Sequence, residues 1–593
     1  MKALFFSPFS NVWEHSYPVS LIAQSLEEQG FDIEFVNCDG QFEDFCIAMS
    51  AAGLTAESSL QKRKQVCSAC KKRRNLLSKE FGFSSYNLEQ FIDSSDIKYA
   101  TDQTQLVDST NWMHLEVHGI PIGRYAAYEF LLHYKILGTD IPENLFPYYQ
   151  DQLRLSIITL LASQKILATS NPDVVLTYNR LYGVNHAFLA VAEQKNIPTY
   201  SLQGGSHITL HGQSMTLFRE SQSLFQVLDS STWETSKENP IGIIQAELVT
   251  SHLLGLLSAS SAFAYSSSFE AVAPAVLREK LNIRSGSQVL LIPMSSEDEL
   301  NAAELADFLP DRESRPNLFE DQFSWIRYIF DFARRNPELS FVLRLHPRMY
   351  PNKREGILAP VVEKVIELVK TAPNNVSINY PTDAISLYDL LQIVDVVLGY
   401  RSTVGVEAAS FGIPVVAPAN KDFFTYPREI SLTSYSRQEF DKNIYKALQE
   451  GWCFENARKA YRWFSFLFTQ VATDLSGSVH SKPIAVRPKK PGFKLWLWKK
   501  LVFIIIQFGP LVRERVSLRN KDLPEEAKKK IVDVVSHFKN NLSEATFPSS
   551  NSDITEETTA ISAQLAFFVD EFWSEIDDEQ SLAYRVRDFL KER

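Results

Sequence analysis

Short apolar runs alternate with amphipathic stretches along most of this chain, and that alternation limits its fold more than any other feature. The chain opens with "KALFF", followed by a helical pattern with apolar residues at Val19, Ile22, Ala23 and Leu26 that stops at Gly30. The next apolar run is "FDIEFVN". Strands separated by helices predict a parallel sheet covered by helices on both faces.

The alternation returns in the second half of the chain, which predicts a second domain. The 593 residues are too many for one hydrophobic core. We expect an α/β fold with two doubly wound, Rossmann-like domains that face a cleft, where the carboxyl ends of the strands would bind a ligand. The expected divisions are residues 1–270 with a Cys-rich insertion at about 40–120, residues 271–475, a basic aromatic segment at 476–521, and an acidic helical tail at 522–593.

Composition and charge limit the location and partners of the protein. The net charge is −11 and the isoelectric point is about 5.6, so we expect no nucleic-acid partner. The N-terminus carries one Lys and a short apolar run, which is typical of a first strand rather than of a secretory signal. No uninterrupted apolar stretch reaches the roughly 18 residues expected of a spanning helix. We therefore expect a cytoplasmic protein with reduced cysteines.

Residues 487–521 differ from the rest of the chain. They combine Trp496, Trp498 and Phe503 with Lys499 and Lys500 in a basic run. This composition favours a segment that lies on an anionic membrane surface. The alternative is a helix that packs back across both domains.

The stretch "RSTVG" at 401–405 follows an apolar run and precedes a helical pattern. Ser402, Thr403 and Gly405 would stand at the start of that helix, where free N–H groups favour an anion. Glu407 would lie in its first turn, within reach of a sugar diol, and together these groups are typical of a nucleotide site. The alternative is that Ser402 caps the helix and Glu407 complements its dipole.

Two other predicted strands of the second domain end in polar residues. His346 follows "SFVLRL", with Arg344 and Arg348 on either side, and imidazole and guanidinium groups suit a phosphate. Ser295 and Ser296 follow "VLLIPM". Because the strand ends of one parallel sheet share an edge, we expect these residues on one rim.

The array of His346 with "SLYDLLQIVDVVLGYRSTVGVEAASFGIPVV" resembles the donor-binding half of GT-B glycosyltransferases, closest in character to capsule and surface-polysaccharide synthesis proteins. The resemblance covers about residues 285–420. It implies that His346, Ser402 and Thr403 bind the donor phosphates and that Glu407 binds the ribose. The donor would be a CMP-, CDP- or UDP-linked sugar, and the first domain would hold the acceptor.

GT-B chemistry of the inverting kind then needs a base in the first domain, to take a proton from the acceptor hydroxyl. The candidates are Glu14 and His15, Glu116 within "HLEVH", and His207. The spacing of His114, Glu116 and His118 would place them on one face of a strand, which also permits a metal site. The expected cleft residues on the acceptor side are Asn179, Arg180, Gly204 and Gly205.

Four of the five cysteines, Cys38, Cys46, Cys67 and Cys70, lie within 33 residues. "CSAC" has the Cys-x2-Cys spacing of a zinc knuckle, and the basic run "KKRR" that follows would offset the charge of four thiolates. This pattern predicts a structural zinc site. Free buried thiols are the first alternative, and an iron–sulfur cluster is the second.

The leading hypothesis is a glycosyltransferase, metal-independent in catalysis, that moves a sugar from a nucleotide-activated donor to a growing or lipid-linked surface polysaccharide. It would act as a peripheral protein at the inner face of the cytoplasmic membrane, with other polysaccharide-assembly proteins as partners. One alternative is a nucleotide-sugar 2-epimerase. Another is a catalytically silent GT-B scaffold that binds nucleotide or glycan.

Overall fold

The protein is described by a computed structural model. The residues it describes are 1–220, 231–261, 264–308, 317–352, 356–419, 426–479, 512–536 and 552–592.

The first sheet has the strand order β13-β6-β5-β4-β1-β2-β3. Strands β1 to β5 run parallel, whereas β6 and β13 are antiparallel to their neighbours. Its central strands are apolar on both faces, and Ala3, Leu4 and Phe5 of β1 are fully buried. The strands are β1 (Lys2–Phe6), β2 (Asp32–Asn37), β3 (Ser84–Asn87), β4 (Val174–Tyr178), β5 (Thr199–Gly204), β6 (Ser214–Arg219) and β13 (Thr473–Asp474).

Helices cover the first sheet and lead out of it. The longest is a 25-residue helix whose buried side chains form the centre of one hydrophobic cluster. The helices are α1 (Trp13–Glu27), α2 (Ile47–Ala51), α3 (Leu60–Phe81), α4 (Ser94–Gln105), α5 (Ile122–Tyr125), α6 (Tyr128–Tyr134), α7 (Phe146–Ser170), α8 (Gly183–Gln194), α9 (Ser231–Ser236), α10 (Ile243–Leu257) and α11 (Pro274–Lys280).

The second sheet is fully parallel and has the order β12-β11-β10-β7-β8-β9. All five residues of β7 are buried, as expected for a strand with helices on both faces. The strands are β7 (Val289–Pro293), β8 (Ser340–Arg344), β9 (Val376–Asn379), β10 (Val396–Leu398), β11 (Val415–Pro418) and β12 (Leu432–Ser434).

The helices of the second half follow the predicted alternation. Asp321 caps the helix before β8 by accepting a hydrogen bond from the Ser324 N–H at 2.6 Å, and the apolar face of that helix packs into the core. The helices are α12 (Glu297–Leu305), α13 (Gln322–Arg335), α14 (Val362–Val369), α15 (Leu387–Leu390), α16 (Val404–Ala409), α17 (Arg437–Glu450), α18 (Phe454–Ser465), α19 (Val512–Ser517), α20 (Glu525–Ser536), α21 (Ile554–Glu571) and α22 (Leu582–Lys591).

The chain returns from the second sheet to the first. A π-helix at Phe466–Val471 continues α18 and leads into β13, which pairs with β6 of the first sheet. Downstream, α20 packs against α1, while α21 contacts α10 and α18. The C-terminal helices therefore bind both halves of the molecule.

Both sheets follow one winding rule, and the predicted fold class is confirmed. In each, the chain lays down the first strand, adds two strands on one side, and then crosses to the other side. This produces a switch point between β1 and β4 in the first sheet and between β7 and β10 in the second. Such points are where doubly wound sheets bind ligands.

The structure differs from the predictions in two places. The insertion expected at about 40–120 contains regular structure: after the helix α3, β3 pairs with β2 and adds a further parallel strand to the first sheet. The "HLEVH" stretch is not a strand. It contains a 3-10 turn at Trp112–His114 and one isolated bridge between Val117 and Ile120, with His118 in a left-handed conformation at φ 52°.

Within the described part of the chain, no helix is both long and apolar enough to cross a membrane. Most of the predicted basic aromatic segment, including Trp496 and Trp498, lies outside the described residues.

Candidate functional site

The predicted polar residues of the second domain lie on one rim of its sheet. Ser295 and Ser296 follow β7, His346 follows β8, and Ser402 and Thr403 follow β10. The three strands are neighbours in the order β10-β7-β8. The rim therefore coincides with the switch point of this sheet.

Glu407 is held by hydroxyl groups of the chain itself. Its carboxylate accepts hydrogen bonds from Tyr388 Oη at 2.8 Å and from Thr403 Oγ1 at 3.0 Å. The residue is only 7% exposed, and burial raises the pKa of its carboxyl group. Glu407 thus fixes the segment at residues 401–405, called here the Ser-Thr loop. The predicted contact with a ribose stays a prediction, in which the ribose hydroxyl would take the place of exposed Thr403.

The remainder of that loop is packed against the protein. A methyl group at Gly405 would lie 2.2 Å from the hydroxyl oxygen of Tyr426, so the missing side chain makes room for Tyr426. Ser402 is buried, and its Oγ accepts a hydrogen bond from the Val404 N–H at 3.4 Å.

Arg344 points into the domain. Its guanidinium donates to Asn379 Oδ1 at 2.5 Å and to the Ile385 carbonyl at 3.0 Å. Burial lowers the pKa of Arg344 to about 10, and the charge of Glu407 opposes that shift. The arginine therefore supports the buried carboxylate.

His346 is partly exposed and neutral at pH 7, because burial lowers its pKa to about 4. Its Nδ1 accepts a hydrogen bond from the Arg348 N–H at 3.2 Å. The Arg348 side chain turns away from solvent and pairs with Asp298 at 2.7 Å and with Glu299. Arg348 therefore links the end of β8 to the start of α12.

The two serines after β7 have partners nearby. Both the N–H and the hydroxyl of Ser295 donate to Gln322 Oε1, at 2.7 and 3.1 Å. Ser296 donates its hydroxyl to Asp298 at 2.6 Å. These bonds shape the loop that enters α12.

His15 lies at the switch point of the first sheet. Its ring stacks on Tyr178, the last residue of β4, with ring centroids 3.7 Å apart. Burial, and then the charge of His211, lower the pKa of His15 to about 3, so the ring is neutral at pH 7. Its Nδ1 atom is buried and has no hydrogen-bond partner among the described residues. Glu14 is exposed beside it.

The space above Gly204 and Gly205 is filled by the protein. A methyl group at Gly204 would lie 2.5 Å from His211 Nε2, and one at Gly205 would lie 2.0 Å from Ser214 Oγ. His211 Nδ1 is also 2.7 Å from the Gly205 carbonyl oxygen. The close approach that the glycines allow is therefore made by His211 and Ser214.

Asn179 and Arg180 shape the turn after β4. Asn179 is left-handed at φ 56° and accepts a hydrogen bond from the Leu181 N–H at 3.0 Å. The Arg180 side chain is 5% exposed and forms two hydrogen bonds with Glu193, one of them 2.7 Å long. Its charge is therefore already neutralised inside the domain.

His207 and Glu116 lie in different surroundings. His207 is 2% exposed; its Nε2 is 3.1 Å from the Leu248 carbonyl oxygen, and its Nδ1 accepts a bond from the Leu210 N–H at 3.2 Å. Burial lowers its pKa to about 4. With both nitrogens bonded, the ring has a structural role here. Glu116 is exposed.

Among the described residues, no group of three or more His, Cys, Asp or Glu side chains is arranged to hold a metal ion, so the predicted zinc site is not formed there. "CSAC" lies inside the continuous helix α3, whereas a knuckle needs a turn. Cys70 Sγ is 3.8 Å from the Pro8 carbonyl oxygen. Burial raises the pKa of Cys38, Cys46, Cys67 and Cys70, which favours the thiol form of each.

Glu129 is a residue that the sequence reasoning missed. It lies in α6, and both of its oxygens accept the Gly183 N–H, at 3.0 Å each, at the start of α8. Burial raises the pKa of Glu129 to about 7. The signal was present in "AAYEFLLHY", where a single carboxylate stands among apolar residues. Glu407 shows the same pattern in "VGVEAASFG".

The helix with Glu129 also forms the contact between the two domains. Lys135 follows α6, is 1% exposed, and donates to the Arg348 carbonyl and to the Ile357 carbonyl, the latter at 2.9 Å. Gly138 N–H donates to Asn301 of α12 at 3.0 Å. The carboxylate of Glu129 and the rim after β8 are therefore brought to the same interdomain boundary.

Comparison with known proteins leaves the family unassigned: no protein-family model and no curated protein matches. Solved structures with some likeness include the UDP-GlcNAc 2-epimerase from Neisseria meningitidis bound to UDP-GlcNAc, with 11% identity over 79% of this chain and 97% of that chain, and a TM-score of 0.25. A spinosyn rhamnosyltransferase complexed with thymidine diphosphate has 11% identity over 79% and 96%, with a TM-score of 0.24. A β-Kdo 2,4-transferase, KpsC from Thermosulfurimonas dismutans, has 15% identity over 42% and 69%, with a TM-score of 0.26. The two doubly wound sheets themselves define the fold.

Proposed function

We propose that this protein is a glycosyltransferase that moves a sugar from a CMP-, CDP- or UDP-linked donor to a glycan acceptor. The observation that carries the proposal is the placement of two switch points on either side of one domain contact. One has a rim of hydroxyl and imidazole groups after β7, β8 and β10. The other has His15 and the start of α8, with Glu129 beside it.

In the proposal, the second domain binds the donor. Ser402 and Thr403 lie against the phosphates, and Glu407 holds their loop in shape through Thr403. Neutral His346 accepts the Arg348 N–H at Nδ1, so it carries its proton on Nε2 and donates a hydrogen bond at the same rim. Arg344 and Arg348 are positioning residues, because their guanidinium groups are bonded inside the protein.

The proton acceptor in the proposal is Glu129. As the acceptor oxygen attacks the anomeric carbon, the bond from that carbon to the phosphate oxygen breaks, the nucleotide leaves with the electron pair, and Glu129 takes the hydroxyl proton. A base works best when its pKa is near the working pH. The pKa of Glu129, about 7, meets that condition, whereas the pKa of His15, about 3, makes it a weak base. His15 would then orient the acceptor.

The acceptor in this proposal is a growing or lipid-linked surface polysaccharide, reached at the inner face of the cytoplasmic membrane. The support is the composition of residues 487–521, with aromatic and basic residues side by side. That part of the proposal is separable from the transfer chemistry and is tested by vesicle flotation of the full chain with and without anionic lipid.

The experiment that tests the transfer is incubation of the full chain with a panel of nucleotide sugars, followed by mass spectrometry of the products. A transferase releases the nucleotide and forms a glycoside, or releases the free sugar when water is the acceptor. A 2-epimerase converts the donor to its isomer without releasing a glycoside. Tight nucleotide binding with no product of either kind would overturn the enzyme proposal in favour of a scaffold.

A further inference from the structure

A large acidic cavity lies in the second domain beside the Ser-Thr loop. Its volume is about 810 Å³, within the roughly 300–1,000 Å³ of small-molecule sites. Residues of α12, of the start of α13 and of α14 line it, together with Arg401 and with Leu137 of the first half of the chain. Six carboxylates contribute to the lining: Glu297, Glu304, Glu320, Asp321, Glu363 and Glu367.

Arg401 brings a buried donor without a hydrogen-bond partner among the described residues to the lining of this cavity. Its side chain is 10% exposed, and its Nε atom is buried with no hydrogen-bond partner among the described residues. The guanidinium lies 5.0 Å from the centroid of the Tyr400 ring, which fixes its plane. A buried donor without a partner is costly, so it favours a ligand that supplies an acceptor.

Glu297 is paired with Arg401 by charge without a close hydrogen bond. Glu297 Oε2 lies 3.8 Å from Arg401 Nη1, beyond hydrogen-bond distance. A hydroxyl group placed between them could accept a bond from Arg401 and donate one to Glu297. Only a group that both accepts and donates satisfies both sides.

The charge of the lining disfavours anionic ligands. Arg327, Lys364 and Arg401 are its basic residues, half as many as the carboxylates, so a phosphate or another anion is disfavoured. No group of three His, Cys, Asp or Glu side chains in the described chain is arranged for a metal ion. An uncharged polyol fits both findings, since carboxylates accept its hydroxyl protons.

We propose that this cavity is a saccharide subsite, in which a hydroxyl group of an uncharged sugar bridges Glu297 and Arg401. This inference extends the proposed function. It rests on that function only in explaining why a sugar should bind beside the Ser-Thr loop. Two sources share this chemistry: the sugar of the donor itself, and a unit of the acceptor glycan.

The test is binding of the full chain to an array of neutral and acidic oligosaccharides, followed by calorimetric titration of the neutral glycan bound most tightly. Glu297→Gln and Arg401→Lys should each weaken that binding by about tenfold or more, because each disturbs a hydrogen bond to a charged group. The matched control is Glu367→Gln. That carboxylate lines the same cavity, but its side chain is 71% exposed and is paired with Lys370 at 2.6 Å, so affinity should stay within about twofold.

The two sources are separated by adding nucleotide. If the glycan still binds at saturating nucleotide, the subsite holds the acceptor. If a nucleotide sugar binds more tightly than its nucleotide, and Glu297→Gln removes that difference, the subsite holds the donor sugar. Binding of acidic glycans alone, of no glycan, or equally by wild type, Glu297→Gln and Arg401→Lys overturns the proposal. Glycan binding without any transfer instead overturns only the proposed transferase activity.

Discussion

Glu557 of α21 and Arg462 of α18 form a bidentate ion pair. The distances from Arg462 Nε to Glu557 Oε1 and from Arg462 Nη2 to Glu557 Oε2 are both 2.8 Å. Glu557 is fully buried, and it also accepts the Ile241 N–H at 3.0 Å and lies 3.2 Å from Arg458 Nε. One carboxylate thereby joins the C-terminal helices to α18 and to the chain segment that precedes α10. The described helices of the acidic tail are therefore part of the folded unit.

Replacing that carboxylate should destabilise the protein. Glu557→Ala leaves two guanidinium groups without their buried partner, and we expect the free energy of unfolding to fall by about 3–5 kcal/mol. Urea denaturation followed by tryptophan fluorescence measures the change. Glu556→Ala removes the same charge from the exposed neighbour and should change stability by less than about 0.5 kcal/mol. Equal stability of the two variants would contradict the role of Glu557.

The cysteine thiols should react in an order set by their exposure. Cys453 is exposed, whereas burial raises the pKa of Cys38 to about 11 and that of Cys46 further. Because the thiolate is the nucleophile, titration with a thiol-specific chromogenic reagent at pH 8 should show a fast phase of one equivalent. Cys453→Ser should remove that phase. A fast phase that survives in this variant, or release of zinc during the reaction, would contradict the assignment of buried thiols.

Lys530 should make the free energy of unfolding depend on pH. It lies beside the π-helix that leads from the second sheet back to the first. Its ammonium donates to the carbonyls of Gln470 and Ala472, at 2.7 and 2.8 Å, and burial lowers its pKa from 10.5 to about 7. Between pH 7 and 10.5 the unfolded chain binds a proton at this group that the folded chain does not, so unfolding free energy rises with pH.

The contribution of Lys530 should approach about 1.4 kcal/mol per pH unit at full proton difference. It is measured as the difference between wild type and Lys530→Met in denaturation from pH 7 to 9. Lys529→Met, at an exposed position, is the control and should keep the wild-type slope. A Lys530→Met slope equal to that of wild type would contradict the buried ammonium.

The two sheets could be predicted from sequence because each strand is a short apolar run between helices, as in "VLLIP" and "VVLGY". Periodicity also placed Ser295, His346 and Ser402 after the correct strands. The same reasoning failed for "HLEVH", where alternating polar residues predicted a strand. Trp112 and Ile122, on either side of this segment, are fully buried in short helical turns. Burial of these two side chains favours turns over a strand.

Partners far apart in sequence could not be predicted. The sequence predicted Arg344 as a phosphate ligand, yet its guanidinium group donates hydrogen bonds to Asn379 and to the Ile385 carbonyl. Arg348 is bonded to Asp298, 50 residues earlier in the chain. A guanidinium at a strand end can turn outward or inward, and only the folded neighbourhood decides which. Glu129 was missed for the same reason. Its position on a short helix does not reveal that it accepts a hydrogen bond from the Gly183 N–H, 54 residues later in the chain.

Tyr388 should matter to the Ser-Thr loop through Glu407. Tyr388→Phe removes the hydrogen bond to a carboxylate that is 7% exposed, and we expect a loss of about 1.5–3 kcal/mol in stability for a bond to a charged group. If Glu407 orders the loop, nucleotide affinity measured by calorimetry should fall as well. Tyr380→Phe is the matched control, since that tyrosine is 36% exposed. Unchanged nucleotide affinity in Tyr388→Phe would contradict a role of Glu407 in donor binding.

The pH profile of transfer distinguishes Glu129 from His15 as the base. A carboxyl group with a pKa of about 7 must lose its proton to act, so the rate should fall tenfold per pH unit below pH 7 and level off above it. With His15, whose pKa is about 3, the rate would stay constant down to about pH 4.

Glu129→Gln tests the same assignment by substitution. The Gln side chain has the same shape and can still accept a hydrogen bond from the Gly183 N–H, and the change should lower kcat by about 10²–10⁴-fold with nucleotide affinity unchanged. Equal rates in wild type and Glu129→Gln would exclude Glu129 as the base. The control is Glu116→Gln, at an exposed carboxylate, which should keep both the rate and its pH profile.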